Sequence, residues 1–181
     1  MSNITVRPAT ASDLDAVAEI YEDTHNMQAS GINHTNWRKG VYPTRTDAIA
    51  GLRAGTLYVC ESEKAILGSV ILNHNQPPEW EVLRWPSSPE PQGVLVIHTL
   101  CVSPHHMGRG AGTTIMHFSE KLAHTLGCEV IRLDIYEGNI PAATLYGKLG
   151  YDCVGNTRII NEYGKEETIL CFEKALRPVS L

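Results

Sequence analysis

Apolar positions follow two rhythms along this chain, and the changes between them mark its elements. Residues 4–6 (Ile-Thr-Val) form a short β-prone segment. Arg7-Pro8-Ala9-Thr10 then turns the chain toward Ser12 and Asp13, whose short side-chain oxygens suit a helix N-cap. Leu14, Val17, Ala18 and Tyr21 follow at helical spacing. Periodicity is lost over residues 26–46, where Gly31, Asn33, Gly40 and Pro43 mix with His34, Trp37, Arg38 and Tyr42, reading as a loop or a short helix plus loop. A second helix is expected over residues 47–55, with Thr46 or Asp47 near its start and Gly55 as its stop. Residues 56–61 and 65–73 read as two strands, joined through Ser62-Glu63-Lys64 as a hairpin.

The rest of the chain is organised around residues 94–118. An apolar, β-branched run from Val94 through His98 to Val102 passes by Ser103-Pro104 into a loop with Gly108, Gly110 and Gly112 at alternate positions, and helical periodicity resumes through Phe118. A strand therefore feeds a helix through a glycine turn. Glycines let backbone approach a ligand closely, and the unpaired N–H groups opening a helix suit a phosphate or pyrophosphate, with Arg109 adding a cation. A tight turn without a ligand explains the glycine spacing equally well. A phosphate-cradling P-loop requires a lysine that Ala111-Gly112-Thr113-Thr114 lacks. A dinucleotide fold wants its glycine loop after an early strand and an acidic residue about 20 residues on. Asp134 lies near that distance, but the loop comes past mid-chain.

Beyond this point residues 128–135 read as a strand, Pro141 opens a short helix through Lys148 with Gly150 at its stop, and residues 152–161 and 165–174 pair across Glu162-Tyr163-Gly164. The expected order is β-α-α-β-β-β-α-β-α-β-β. Val102-Ser103-Pro104, the loop Met107-Gly108-Arg109-Gly110-Ala111-Gly112, Asn139, and Ala143-Thr144-Leu145-Tyr146-Gly147-Lys148-Leu149-Gly150-Tyr151 together resemble the GNAT superfamily of acyl-CoA-dependent N-acyltransferases. Gly110 and Gly112 match the glycines of that family's loop pattern, whereas Met107 stands where Gln or Arg is usual. The resemblance implies an α/β (α+β) GNAT fold: a mixed, mostly antiparallel central sheet flanked by helices, with splayed central strands.

Composition narrows the function without naming it. At 181 residues and 43% hydrophobic, the chain has the length and core of a single domain over residues 1–181. A net charge of −5 gives no footprint for nucleic acid. Five cysteines, an odd number without a Cys-x-x-Cys pair, read as reduced thiols behaving as small hydrophobes. The amino-terminal letters lack a leader pattern and no run approaches membrane-spanning length, so a cytoplasmic protein is expected. His105-His106 suggests a metal only superficially, because adjacent side chains diverge and no third ligand stands at a suitable spacing. No metal is expected.

The resemblance implies an N-acetyltransferase that uses acetyl-CoA as co-substrate and moves its acetyl group to a primary amine by direct attack in a ternary complex. Its alternative is a non-catalytic acyl-CoA sensor or scaffold of the same fold. Backbone groups of Leu100, Cys101 and Val102 would bond the pantetheine arm, and the loop Met107, Gly108, Arg109, Gly110, Ala111, Gly112 and Thr113 would take the pyrophosphate. Tyr146 occupies the family's position for the acid that protonates the departing thiolate, although a tyrosine there also suits helix packing. Asn139 either bonds near the pantetheine or caps the helix. For the base the candidates are His98, on the central strand, and Glu81, acting through water. Residues 75–93, unusually proline-rich, read as an insertion that meets substrate or a second copy of the chain, or as an exposed mobile loop. Trp37, Tyr42, Glu81 and Trp85 are the candidate acceptor wall, an aromatic and partly acidic surface suited to a small-molecule or peptide amine, with Trp37 and Tyr42 equally able to pin their loop to the core.

Overall fold

A computed structural model describes residues 4–63, 65–160, 164 and 166–176. Seven strands form one open sheet in the order β1-β2-β3-β4-β5-β7-β6. They are β1 (Thr5–Pro8), β2 (Leu57–Ser62), β3 (Ala65–Asn73), β4 (Val94–Val102), β5 (Val130–Tyr136), β6 (Asp152–Ile160) and β7 (Glu166–Ala175). Four helices are interleaved: α1 (Leu14–Ala29), α2 (Arg45–Arg53), α3 (Ala111–Thr125) and α4 (Ile140–Lys148). The element order is the one expected from the sequence. β4 and β5 run parallel, while β1–β2, β2–β3, β5–β7 and β6–β7 are antiparallel. Glu162 and Tyr163 of the expected last turn, its flanking Asn161 and Lys165, and Lys64 of the first hairpin lie outside the described residues.

The chain divides into two compact units. The first comprises the chain up to Leu72 together with His98–Phe118. Leu14, Val17, Ile20 and Tyr21 put one face of α1 against Ala48 of α2, Leu57 and Val59 of β2, and Cys101 of β4. Two boundaries differ from the sequence expectation. The first strand runs on through Arg7 and Pro8, which pair with Val59 and Tyr58. Proline is tolerated because β1 is an edge strand. α2 starts at Arg45 rather than near Asp47, because Thr44 is the cap: the Asp47 carboxylate accepts from the Thr44 amide at 2.7 Å and from its hydroxyl at 2.8 Å. Thr10 and Asp13 repeat that arrangement before α1, at 2.7 and 2.9 Å. The Arg7 guanidinium grips Asp13 at 2.8 and 2.9 Å, which holds that carboxyl well below the usual range.

The second unit comprises Asn73–Ile97 and the chain from Ser119 onward. Trp80, Val94, Val96, Val130, Ile169 and Cys171 form its described apolar cluster, with Leu83, Trp85 and Ile159 packed against it. The proline-rich residues are bound down rather than loose. Arg132, a β5 residue only 5% exposed, donates to Glu173 at 2.8 Å, to Gln76 at 2.6 Å and to the Ser87 carbonyl at 2.6 Å. Its guanidinium carbon also lies 4.1 Å from the centre of the Trp85 ring. One buried cation thus bonds β7 through Glu173 and the proline-rich segment through Gln76 and Ser87.

Candidate active site

Within the first unit the candidate ligand loop begins where β4 leaves regular geometry. Thr99 has φ 47°, a left-handed backbone that is costly for a β-branched residue. The side chain that meets it is Tyr42, whose hydroxyl hydrogen-bonds the Thr99 hydroxyl. Leu100 and Val102 are half-buried and Cys101 is buried. Gly68 lies so close behind them that a Cβ would stand 2.6 Å from the Cys101 carbonyl oxygen, so only glycine leaves that carbonyl in place. The Ser103 amide donates to the Leu67 carbonyl at 2.8 Å, and one 3₁₀ turn, Pro104–His106, follows.

Met107, Gly108, Arg109 and Gly110 are exposed. Gly108 and Gly110 have φ 74° and 90°, with nothing within 4 Å of either Cβ position. Gly112, expected as the loop's third glycine, instead lies in the first turn of α3, as does Thr113. The Gly110 carbonyl accepts from the Thr114 amide at 2.9 Å and from its hydroxyl at 3.0 Å, so the amides of Ala111, Gly112 and Thr113 precede the first helical hydrogen bond. Open left-handed backbone before these amides suits an anion such as a pyrophosphate. In the same unit Trp37 meets Tyr42 edge-on at 6.0 Å and packs on the α1 core, while the Gln28 amide holds the Trp37 carbonyl at 2.8 Å. His98 is half-buried on β4.

In the second unit the Asn139 side chain accepts from the Ala142 amide at 3.2 Å, so it caps α4. Pro141 stands in the first turn, where its missing N–H costs nothing. α4 presents Tyr146, 4% exposed, to Tyr151 and Phe172 with ring centres 6.0 and 5.8 Å away. Burial first, and the Asp134 charge second, push this phenol above its ordinary value, so it carries its proton at neutral pH. Glu81 is exposed on the 3₁₀ turn Pro78–Val82, and Trp85 donates from its indole to the Trp80 carbonyl at 3.3 Å. Sequence reading considered Asp134 only against a dinucleotide pattern and did not single out Thr99 or Arg132. The alternation Val130-Arg132-Asp134 along one face of an otherwise apolar strand was the available signal.

Burial pushes the Cys60 thiol up to about 11 and those of Cys101 and Cys171 up to about 12, which removes the thiolate a nucleophile would need. No cluster of three metal-ligating side chains occurs among the described residues. None of the described helices is long and apolar enough to cross a membrane.

Comparison with known proteins gives this geometry a family. The chain is 24% identical over 150 residues to the uncharacterized N-acetyltransferase YesJ of Bacillus subtilis strain 168, a match covering 77% of this chain and 82% of the relative. Its fold is that of a GNAT-family acetyltransferase from Streptococcus agalactiae 2603, with a TM-score of 0.79 at 18% identity over 96% of each chain. It is also that of yncA from Salmonella typhimurium, described as an acetyltransferase and solved with its cofactor acetyl-CoA, with a TM-score of 0.71 at 19% identity over 99% of this chain and 98% of that one. Residues 14–151, which hold the glycine loop, Asn139 and Tyr146, match the Acetyltransferase (GNAT) family, and the chain belongs to it.

Proposed function

We propose that this acetyltransferase moves the acetyl group of acetyl-CoA to a primary amine of a small molecule or peptide, by direct attack of the amine with both substrates bound. The observation that carries the reading is the run from Thr99 to Ala111. There β4 departs from regular geometry at φ 47°, and glycines with φ 74° and 90° leave open space before a 15-residue helix. In this reading Leu100, Cys101 and Val102 offer backbone groups to the pantetheine arm. Amides from Met107, Gly108, Arg109, Gly110, Ala111, Gly112 and Thr113 take the pyrophosphate, and the Arg109 side chain adds charge. The departure at Met107 removes one polar side chain and leaves those amides intact.

Asn139 fixes the start of α4 and so the direction of Tyr146. Tyr146 protonates the departing thiolate, a role supported by its place on α4 after Asn139 and by a phenol that carries its proton at neutral pH. Trp37, Tyr42, Glu81 and Trp85 form the acceptor side, with His98 and Glu81 the base candidates drawn from sequence. The chain acts as one catalytic domain. The test is a CoA-release assay over amine classes, paired with melting in acetyl-CoA, NAD or ATP. A ligand at ~100 times its Kd stabilises by about 2.7 kcal/mol, so acetyl-CoA should raise the Tm while NAD and ATP do not. The reverse order of ligands would reject the reading.

A further inference from the structure

The last two turns of α1 carry four polar side chains, Glu22, His25, Asn26 and Gln28, that reach the irregular loop following the helix. Glu22 pairs with Lys39, whose ammonium also donates to the Asn26 side chain at 2.8 Å. The Gln28 amide donates to the Trp37 carbonyl at 2.8 Å, and its oxygen accepts from the Thr35 hydroxyl at 3.3 Å. His25 bonds the far end of the loop, with Nε2 3.1 Å from the Pro43 carbonyl oxygen. Steps of three and four residues, from 22 to 25 and 26 and from 25 to 28, set these side chains along one side of the helix.

These contacts are not equivalent. Those of Lys39 are exposed, where a charge pair contributes little. His25 is 4% exposed and its bond is buried. A carbonyl only accepts, so Nε2 carries the hydrogen and donates it. Nδ1, the other polar atom of the ring, is buried with no hydrogen-bond partner among the described residues. An orphaned buried nitrogen destabilises a fold, and an apolar side chain at this position would avoid that cost. What the imidazole adds is a single N–H, delivered to the carbonyl of the residue directly after Tyr42. The Tyr42 hydroxyl in turn bonds the hydroxyl of Thr99, where β4 turns left-handed at φ 47°. Two hydrogen bonds thus run from helix to loop to strand, all within the first unit.

Resting on the acetyl-transfer reading above and on Tyr42 as part of its acceptor side, we propose that His25 is a positioning residue for the acceptor. Its Nε2–H holds the Pro43 carbonyl and so fixes the place from which Tyr42 reaches Thr99 and meets the amine. His25 itself touches neither substrate in this arrangement. Without that bond the end of the loop has more than one position, and acceptor binding then carries the cost of ordering it. Acetyl-CoA, held in the same reading by backbone groups of β4 and the glycine loop, does not draw on the His25 bond.

The experiment compares three substitutions that differ in where they put a donor. The amide of Gln reaches the place of Nε2, that of Asn reaches only the place of Nδ1, and Leu has none. Free amino acids, spermidine and a peptide with a free amino terminus serve as acceptors, each variant being checked for folding by its melting curve. His25→Leu and His25→Asn should raise the acceptor KM roughly tenfold, the worth of one buried hydrogen bond, while acetyl-CoA affinity by calorimetry stays within about twofold. His25→Gln should restore the acceptor KM to within about twofold of wild type. A double-mutant cycle supplies the readout that a packing role would not move. In a Tyr42→Phe background the Thr99 bond is already gone, so adding His25→Leu should raise the acceptor KM by less than about twofold more. A wild-type acceptor KM in His25→Leu, equal losses for acceptor and acetyl-CoA, no difference between His25→Asn and His25→Gln, or full additivity with Tyr42→Phe would each overturn the assignment and leave the acetyl-transfer reading standing. An acceptor KM that Tyr42→Phe does not move would overturn the acceptor side on which it rests, and failure of the wild type to bind acetyl-CoA would overturn the acetyl-transfer reading itself.

Discussion

The hydroxyls of Tyr42 and Thr99 hydrogen-bond to each other, joining the irregular loop after α1 to the β4 residue whose backbone is left-handed. Thr99 is 8% exposed, so this bond satisfies a buried hydroxyl as well as holding the loop. Trp37, edge-on to Tyr42, extends the same contact back to α1.

Tyr42→Phe keeps the ring and deletes the bond. Its expected cost is about 1 kcal/mol of stability, because the Thr99 hydroxyl loses its partner. The acceptor KM should rise more than the acetyl-CoA KM. Denaturant midpoints and a KM comparison check both; equal changes in the two KM values would make Tyr42 a packing residue only.

The glycine loop is tested by substitutions of opposite kind. Gly110→Val forces a β-branched side chain into φ 90° and into the open space before α3, so acetyl-CoA affinity should fall at least tenfold by calorimetry. Met107→Arg adds a cation to an exposed position and should tighten binding or leave it unchanged. Unchanged affinity in Gly110→Val would place the anion site elsewhere.

Arg132→Met leaves Glu173 buried without its partner, and urea denaturation should register a loss of about 3–5 kcal/mol. Replacing both members, Arg132→Met with Glu173→Leu, should recover much of that. An equal loss in the double variant would assign the cost to the Gln76 and Ser87 contacts instead.

What was legible in the sequence, and what was not, divides along physical lines. Short-range patterns carried the element order, because the apolar rhythm of Leu14, Val17 and Tyr21 or the glycine stop at Gly150 is written in neighbouring letters. The start of α2 was missed by two residues because Thr44 and Asp47 form a capping box that competes with the nearer Thr46. Whether residues 75–93 were loose or pinned was not legible, since their anchor, Arg132, stands 45 residues from Ser87. The surroundings of Asp134 are hidden in the letters for the same reason, because its hydrogen-bond donor, Trp80, stands 54 residues away.

The central claim is that Tyr146 supplies the proton that lets CoA leave, and Tyr146→Phe tests it most directly. Phenylalanine preserves the ring contacts to Tyr151 and Phe172 and removes only the hydroxyl. Acetyl-CoA affinity should stay within about twofold, while the single-turnover rate of acetyl transfer falls ~10²–10⁴-fold. Single turnover is the required measurement, because slow product release would hide the loss in kcat. A folded Tyr146→Phe enzyme with a wild-type single-turnover rate would contradict the account.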